Sequence, residues 1–209
     1  MNLFAAILAV LLALPGHSTD TETSAQRLAR LTTIAQAIDT ATLRAACEGQ
    51  PEPCRAIQSD RVLMAALLLA KGKAESGFAQ YVHEGRCSDG PVGARCDSDK
   101  QGVPRAHGLW QAWRVAIYPP EDWDAINEST DAATTLAAWH AARSLSGGFK
   151  ACLQQYPGDP IASAIAQYAG SCLQMAPAKV RQQAQLTRRF QALLYKNLST
   201  DAAKAKAQP

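Results

Sequence analysis

The sequence predicts a mainly α, single compact helical domain. Three observations carry this. Apolar residues recur at helical rather than alternating spacing along most of the chain. Capping residues and Gly or Pro breaks fall at the ends of those runs. The 209 residues are 47% hydrophobic and 19% charged, enough for one domain with a full core and cramped for two.

The elements follow in order. An apolar run from Leu3 to Leu14 ends at Pro15-Gly16. It is short for a bilayer span and reads as a secretory signal peptide over residues 1–18, with Gly16 and Ser18 as small residues near a cleavage point. No Lys or Arg precedes the run, and an uncleaved anchor or a buried N-terminal helix is the alternative. The folded domain is expected over 24–198. Its first helix covers Ser24 to Ala46, with Leu28, Leu31, Ile34, Ile38 and Leu43 on one stripe. "CEGQPEPC" breaks it. "RVLMAALLLAKGKAE" follows, capped by Ser59 or Asp60; it is apolar nearly all round, so it should be the buried central helix. Residues Ser76 to Pro104 read as a long loop, and loops of that length tend to be functional. "HGLWQAWRVA" reads as a turn entering a short helix. "STDAATTLAAWHAARSL" has its N-cap among Ser129, Thr130 and Asp131 and ends at Ser146-Gly147-Gly148. "GDPIASAIAQYAG" starts with Asp159 as cap and Pro160 at the first helical position. A long amphipathic helix from Ala176 to Leu198 precedes a polar tail, 199–209, expected to be mobile.

The six cysteines are Cys47, Cys54, Cys87, Cys96, Cys152 and Cys172. An even count behind a signal peptide implies an oxidising compartment and disulfides. Proximity in sequence favours 47–54, 87–96 and 152–172, the second pinning the long loop. No CxxC-like pair offers a zinc site, so no metal and no cofactor is expected. The net charge of +3 and pI near 8.6 allow attraction to an anionic polymer. No basic block with interleaved aromatics is present, which excludes nucleic acid as an expected partner.

One carboxylate stands out. Glu75 closes the apolar helix and is followed at once by Ser76-Gly77-Phe78. The helix macrodipole disfavours a negative charge there. Apolar neighbours would disfavour it further, which would keep the carboxyl protonated as a general acid. The plain alternative is a solvent-facing Glu beside Lys71 and Lys73.

Two later stretches bear on the choice. Gly108-Leu109-Trp110-Gln111 follows His107, and Tyr168-Ala169-Gly170 closes a further helix. Together with Glu75-Ser76-Gly77-Phe78, in this order, they resemble the lytic transglycosylase and goose-type lysozyme group over roughly residues 60 to 172. That family pattern is Glu-Ser-x-Phe, then Gly-Leu-x-Gln, then Tyr-Asn-x-Gly. This chain departs from it at Trp110, where the family usually has Met or Tyr, and at Ala169, where it has Asn. The connection from Phe78 to Gly108 is also longer.

The resemblance implies a lysozyme-like domain that cuts peptidoglycan glycan strands. It implies that Glu75 protonates the glycosidic oxygen and then takes back a proton. It also implies that Gln111 bonds substrate or shapes the site, that Tyr168 orients the acid and that Ser76 touches substrate. His107 would shape the turn or line the cleft. Trp110 and Trp113 could stack on sugar faces, whereas Trp139 reads as core; Trp123 is a further aromatic and His140 a further proton-transfer group. Glu75 should lie in a cleft near Gln111 and Tyr168. Glycosidases usually carry a second carboxylate. Glu84, Asp89, Asp97, Asp99, Asp122 and Asp124 could serve, and none is singled out by spacing. Lytic transglycosylases manage with one Glu, so the expected outcome is anhydro ends rather than hydrolysis. A hydrolase of the same fold and a silent wall-binding or assembly protein are the alternatives. Family members often work with envelope-spanning machinery. Export to the periplasm or the exterior follows from the N-terminal run, and the sequence specifies no oligomeric state.

Overall fold

The computed structural model of the chain describes residues 2–18, 20–48, 58–86, 106–113, 116–126, 128 and 130–206. Among these residues the fold is mainly helical. The elements are α1 (Leu3–Ala13), α2 (Ser24–Cys47), α3 (Gln58–Glu75), α4 (Gln80–His83), β1 (Ala106–His107), β2 (Ala112–Trp113), α5 (Asp122–Ala125), α6 (Asp131–Gly148), α7 (Pro160–Tyr168) and α8 (Pro177–Lys206).

The caps explain where helices begin. Thr23 starts α2 with a capping box, its side chain on the Gln26 amide and the Gln26 side chain on its own amide. Thr130 is the cap of α6 and accepts from the Ala133 amide at 3.0 Å. Asp159 caps α7 through the Ala162 amide at 3.0 Å, with Pro160 in the first turn. Helix α3 already begins at Gln58, so Ser59 and Asp60 lie inside its first turn instead of capping it.

α3 is the central helix. Val62, Met64 and every residue from Ala65 to Lys71 are buried. It packs on α8 and α2; α2 packs in turn on α6 and α1, and α7 bridges α6 and α8. The α6–α7 crossing is close because α6 ends in Gly148. A Cβ there would sit 2.8 Å from the Ala164 Cα. The Cys152–Cys172 disulfide, with 5.3 Å between Cα atoms, ties the chain after α6 to the chain after α7. Cys47 is disulfide-bonded as well. Cys54, Cys87 and Cys96 lie outside the described residues, as do Asp89, Asp97 and Asp99 and most of the long loop.

α1 is seated on α2 and α8, with Leu3, Ala6, Ile7, Val10 and Leu11 buried. The chain between α1 and α2 is held by a buried charge cluster. Arg30 of α2 pairs with Asp20 and Glu22, and all three side chains are nearly sealed from solvent. The same guanidinium donates to the Phe78 carbonyl, and Asp20 also accepts from the Gln80 amide at 2.8 Å. This clamp joins the N-terminal segment to the turn that follows Glu75.

Three expectations are corrected. "HGLWQAW" is a two-stranded antiparallel hairpin, Ala106 paired with Trp113 and His107 with Ala112, not the start of a helix. Strands of two residues are too short for alternation to show in sequence. Leu28 and Leu43 are exposed while Leu31, Ile34 and Ile38 are buried. The five-residue step to Leu43 turns it about 140° away from Ile38 on a helix of 3.6 residues per turn. Finally, the helix expected to end at Leu198 continues as α8 through Lys206. Its "AAKAK" end consists of strong helix formers.

Candidate active site

Glu75 is the last residue of α3, and the backbone breaks behind it in a defined way. Gly77 and Phe78 both take left-handed conformations, φ 63° and 57°. Such a φ strains a bulky side chain, so Phe78 is held there by its surroundings. The Ser76 hydroxyl donates to the Gly72 carbonyl at 3.1 Å and accepts from the Phe78 amide at 3.2 Å. Phe78 thereby folds back over α3 and meets Trp110 edge-on, ring centroids 6.4 Å apart. Gly72 makes room for this. A Cβ at 72 would stand 2.3 Å from the Phe78 ring.

The second segment is the hairpin turn. The Gln111 amide donates to the Gly108 carbonyl at 3.0 Å, and its side-chain amide donates to the same oxygen at 2.9 Å. Gly108 and Gln111 are both left-handed, φ 70° and 48°. Trp110, between them, is fully buried; its indole N–H donates to the Leu68 carbonyl of α3 at 2.8 Å. The third segment reaches the same residue, because the Tyr168 hydroxyl donates to the Trp110 carbonyl at 2.8 Å. Burial, reinforced by the charge of Glu75, pushes the Tyr168 phenol well above the usual tyrosine range, so it stays a neutral donor. Trp110 thus pins the turn to α3 and to α7.

An open cleft of about 610 Å³ lies over this junction. Glu75, Gln111 and Tyr168 line it together with Trp113, Met175 and Lys179. Of the described carboxylates, Glu75 is the one that lines it. Its side chain is 28% exposed and is ion-paired with Lys71, one helical turn earlier, whose own side chain is fully buried. Lys71 is also bonded to Gln183 Oε1 of α8 at 3.2 Å and lies 4.6 Å from the centre of the Tyr168 ring. The wall behind Glu75, expected to be apolar, therefore carries an ammonium. Burial pushes Lys71 below the usual lysine range against the pull of Glu75, and Lys179 adds a smaller push in the same direction as burial.

The other predicted residues divide. Trp113 is half-buried and lines the cleft. Trp110 is core and offers no face to a sugar. The Ser76 hydroxyl is used within its own turn. His107 is buried and stacked on Trp123 at 3.9 Å, its Nδ1 3.2 Å from the Trp123 carbonyl; burial holds it below the usual histidine range, a turn-shaping arrangement outside the cleft. Trp139 is core under the Arg44 guanidinium. His140 Nε2 pairs with Asp122 at 2.8 Å, and Glu84 pairs with Arg86. None of Glu84, Asp122 and Asp124 lines the cleft. Among the described residues no cluster of His, Cys, Asp and Glu could hold a metal ion. Sequence reasoning missed Lys179 and Met175 in the cleft lining, the buried Gln183 behind Lys71 and, above all, the burial of Lys71 itself. Its signal was a lysine at the end of the apolar run, four residues before the acid.

Comparison of the chain with protein-family models, with characterised proteins and with solved structures returns no match. The geometry above therefore carries the functional argument.

Proposed function

We propose that the chain is an exported peptidoglycan-cleaving enzyme of lysozyme-like fold, acting as a lytic transglycosylase. One observation supports it above the rest: three distant segments converge on one open cleft that holds a single described carboxylate, Glu75. The cleft, about 610 Å³, carries polar lining from Gln111, Gln174 and Lys179, and Trp113 supplies an aromatic side chain in the same lining. Lys179 favours the anionic wall polymer.

In the proposed reaction Glu75 gives a proton to the glycosidic oxygen as the C1–O bond breaks. The carboxylate then accepts the proton of the sugar's own C6 hydroxyl while that oxygen closes on C1. One C–O bond is lost and one is formed, and no water is consumed. A hydrolase with paired carboxyl groups would need a second acid within about 5–10 Å of the first. No other described carboxylate lines the cleft, which favours the intramolecular route. Gln111 would hold the sugar, and Tyr168, fixed on Trp110, would hold the wall against which Glu75 works. Entry through the N-terminal run 1–18 into the periplasm or exterior belongs to this reading, as do glycan strands as partner.

Digestion of purified peptidoglycan sacculi with the protein tests it. Soluble fragments with anhydro ends are expected by mass spectrometry. New reducing ends would replace transglycosylation by hydrolysis. Sacculi that bind the protein without releasing fragments would establish the silent wall-binding alternative.

A further inference from the structure

The ion pair behind the cleft raises a chemical difficulty for a proton donor. A carboxyl that gives up a proton must first hold one, and Glu75 has a buried ammonium as its partner. In water a lysine binds its proton about six pK units more tightly than a glutamate does. A solvated Lys71 would simply keep that proton.

Lys71 is not solvated. Its side chain is fully buried, and its surroundings are set by three elements. Glu75 faces it from its own helix, the Tyr168 ring from α7, and the uncharged Gln183 from α8, with the Lys179 charge felt from the same helix. Glu75 is the member of the pair that is partly exposed and lines the cleft, so it is the side that a bound sugar would cover. Covering it removes water from the charge-separated pair, and loss of water penalises ammonium plus carboxylate more than amine plus carboxylic acid. Both forms have the same net charge and differ by one proton moving along one hydrogen bond.

Resting on the glycosidase reading, we propose that Lys71 is the proton store for Glu75: it holds the catalytic proton while the cleft is open and passes it to Glu75 Oε1 when a glycan fills the cleft. The balance closes. Lys71 Nζ gives one proton to Glu75, Glu75 gives it to the glycosidic oxygen, and the C6 hydroxyl proton then returns through Glu75 to Lys71. Lys71 touches no substrate; it acts through Glu75, as a positioning and proton-holding residue. The pair, rather than either member, then sets the pH range of the reaction.

This has a consequence for the alkaline limb of the pH–rate profile. In the wild type the pair keeps its transferable proton until Lys71 loses it, so activity persists to higher pH than in a variant without the lysine. In Lys71→Met the proton must reside on Glu75 alone, and activity falls as pH rises through the carboxylate range. Lys71→Arg separates a proton store from a mere positive charge, because a guanidinium keeps its proton at any working pH. The arginine variant should be slow wherever the wild type is fast.

The test is the pH dependence of fragment release from sacculi by wild type, Lys71→Met and Lys71→Arg, each checked for folding by circular dichroism. The expected result is a limb moved several pH units toward acid in Lys71→Met and no rescue by Lys71→Arg. Superimposable profiles, or full rescue by arginine, overturn the proposal. Should the variants fail to fold, the nitrogen resonance of Lys71 decides the matter in wild type titrated with and without chitooligosaccharide. A Lys71 amine that titrates in the ordinary lysine range under both conditions overturns it. A wild type that releases nothing at any pH defeats the glycosidase reading itself, whereas an active wild type with unmoved variant profiles defeats this inference alone.

Discussion

Glu75→Gln should lower fragment release from sacculi by about a hundred- to ten-thousand-fold, the usual worth of a positioned acid–base group. The substitution is nearly isosteric. Its amide oxygen still accepts from the Lys71 ammonium, so the buried cation keeps an oxygen partner. Glu75 lies at the cleft surface, not in the core, and its loss of charge leaves the packing of Leu67, Leu68 and Leu69 untouched. What the variant lacks is a carboxyl proton. The measurement is the rate of release at equal protein concentration, with the melting temperature of both proteins recorded. Equal rates from wild type and variant would remove Glu75 from the reaction.

Trp110→Ala should lower stability by about 3–5 kcal/mol, at the upper end for a buried aromatic truncation. Trp110 is fully buried, and its removal does more than open a cavity. The Leu68 carbonyl loses the indole donor at 2.8 Å, and Phe78 loses its edge-on partner while it remains in a strained left-handed conformation. The turn that presents Gln111 and the anchor of Tyr168 loosen together. For a domain of this size the melting temperature should fall on the order of 10 °C by calorimetry. A shift within two or three degrees (the scale of a surface change) would mean that the junction is not organised around this ring.

Much of the helical frame was legible because its signals are local. Thr130, Asp159 and Pro160 mark helix starts through the amides just ahead of them, and nothing distant can change that. The apolar girth of α3 announced its central place in the same way. The hairpin was hidden because two residues per strand hold no period. The candidate site was legible only as an order of three short motifs. Which members face the cleft depends on contacts across long separations. Trp110 resembled a sugar platform until its indole was seen to reach Leu68, 42 positions away. Lys71 resembled a solvated neighbour of Glu75, since its burial is made by Gln183, 112 positions later.

The Arg30 cluster bears on where a shortened version of this chain can begin. Helix boundaries alone would suggest Thr23, the cap of α2, as a tidy first residue. That choice discards Asp20 and Glu22 and leaves a buried guanidinium with only the Phe78 carbonyl to face. An orphaned buried charge costs several kcal/mol, and here it would be spent on the very turn that carries Glu75. A chain cut after Ser18 retains both carboxylates. The boundary that keeps this clamp is therefore drawn by electrostatics, at or before Asp20, at least four residues ahead of Ser24, where the helix begins.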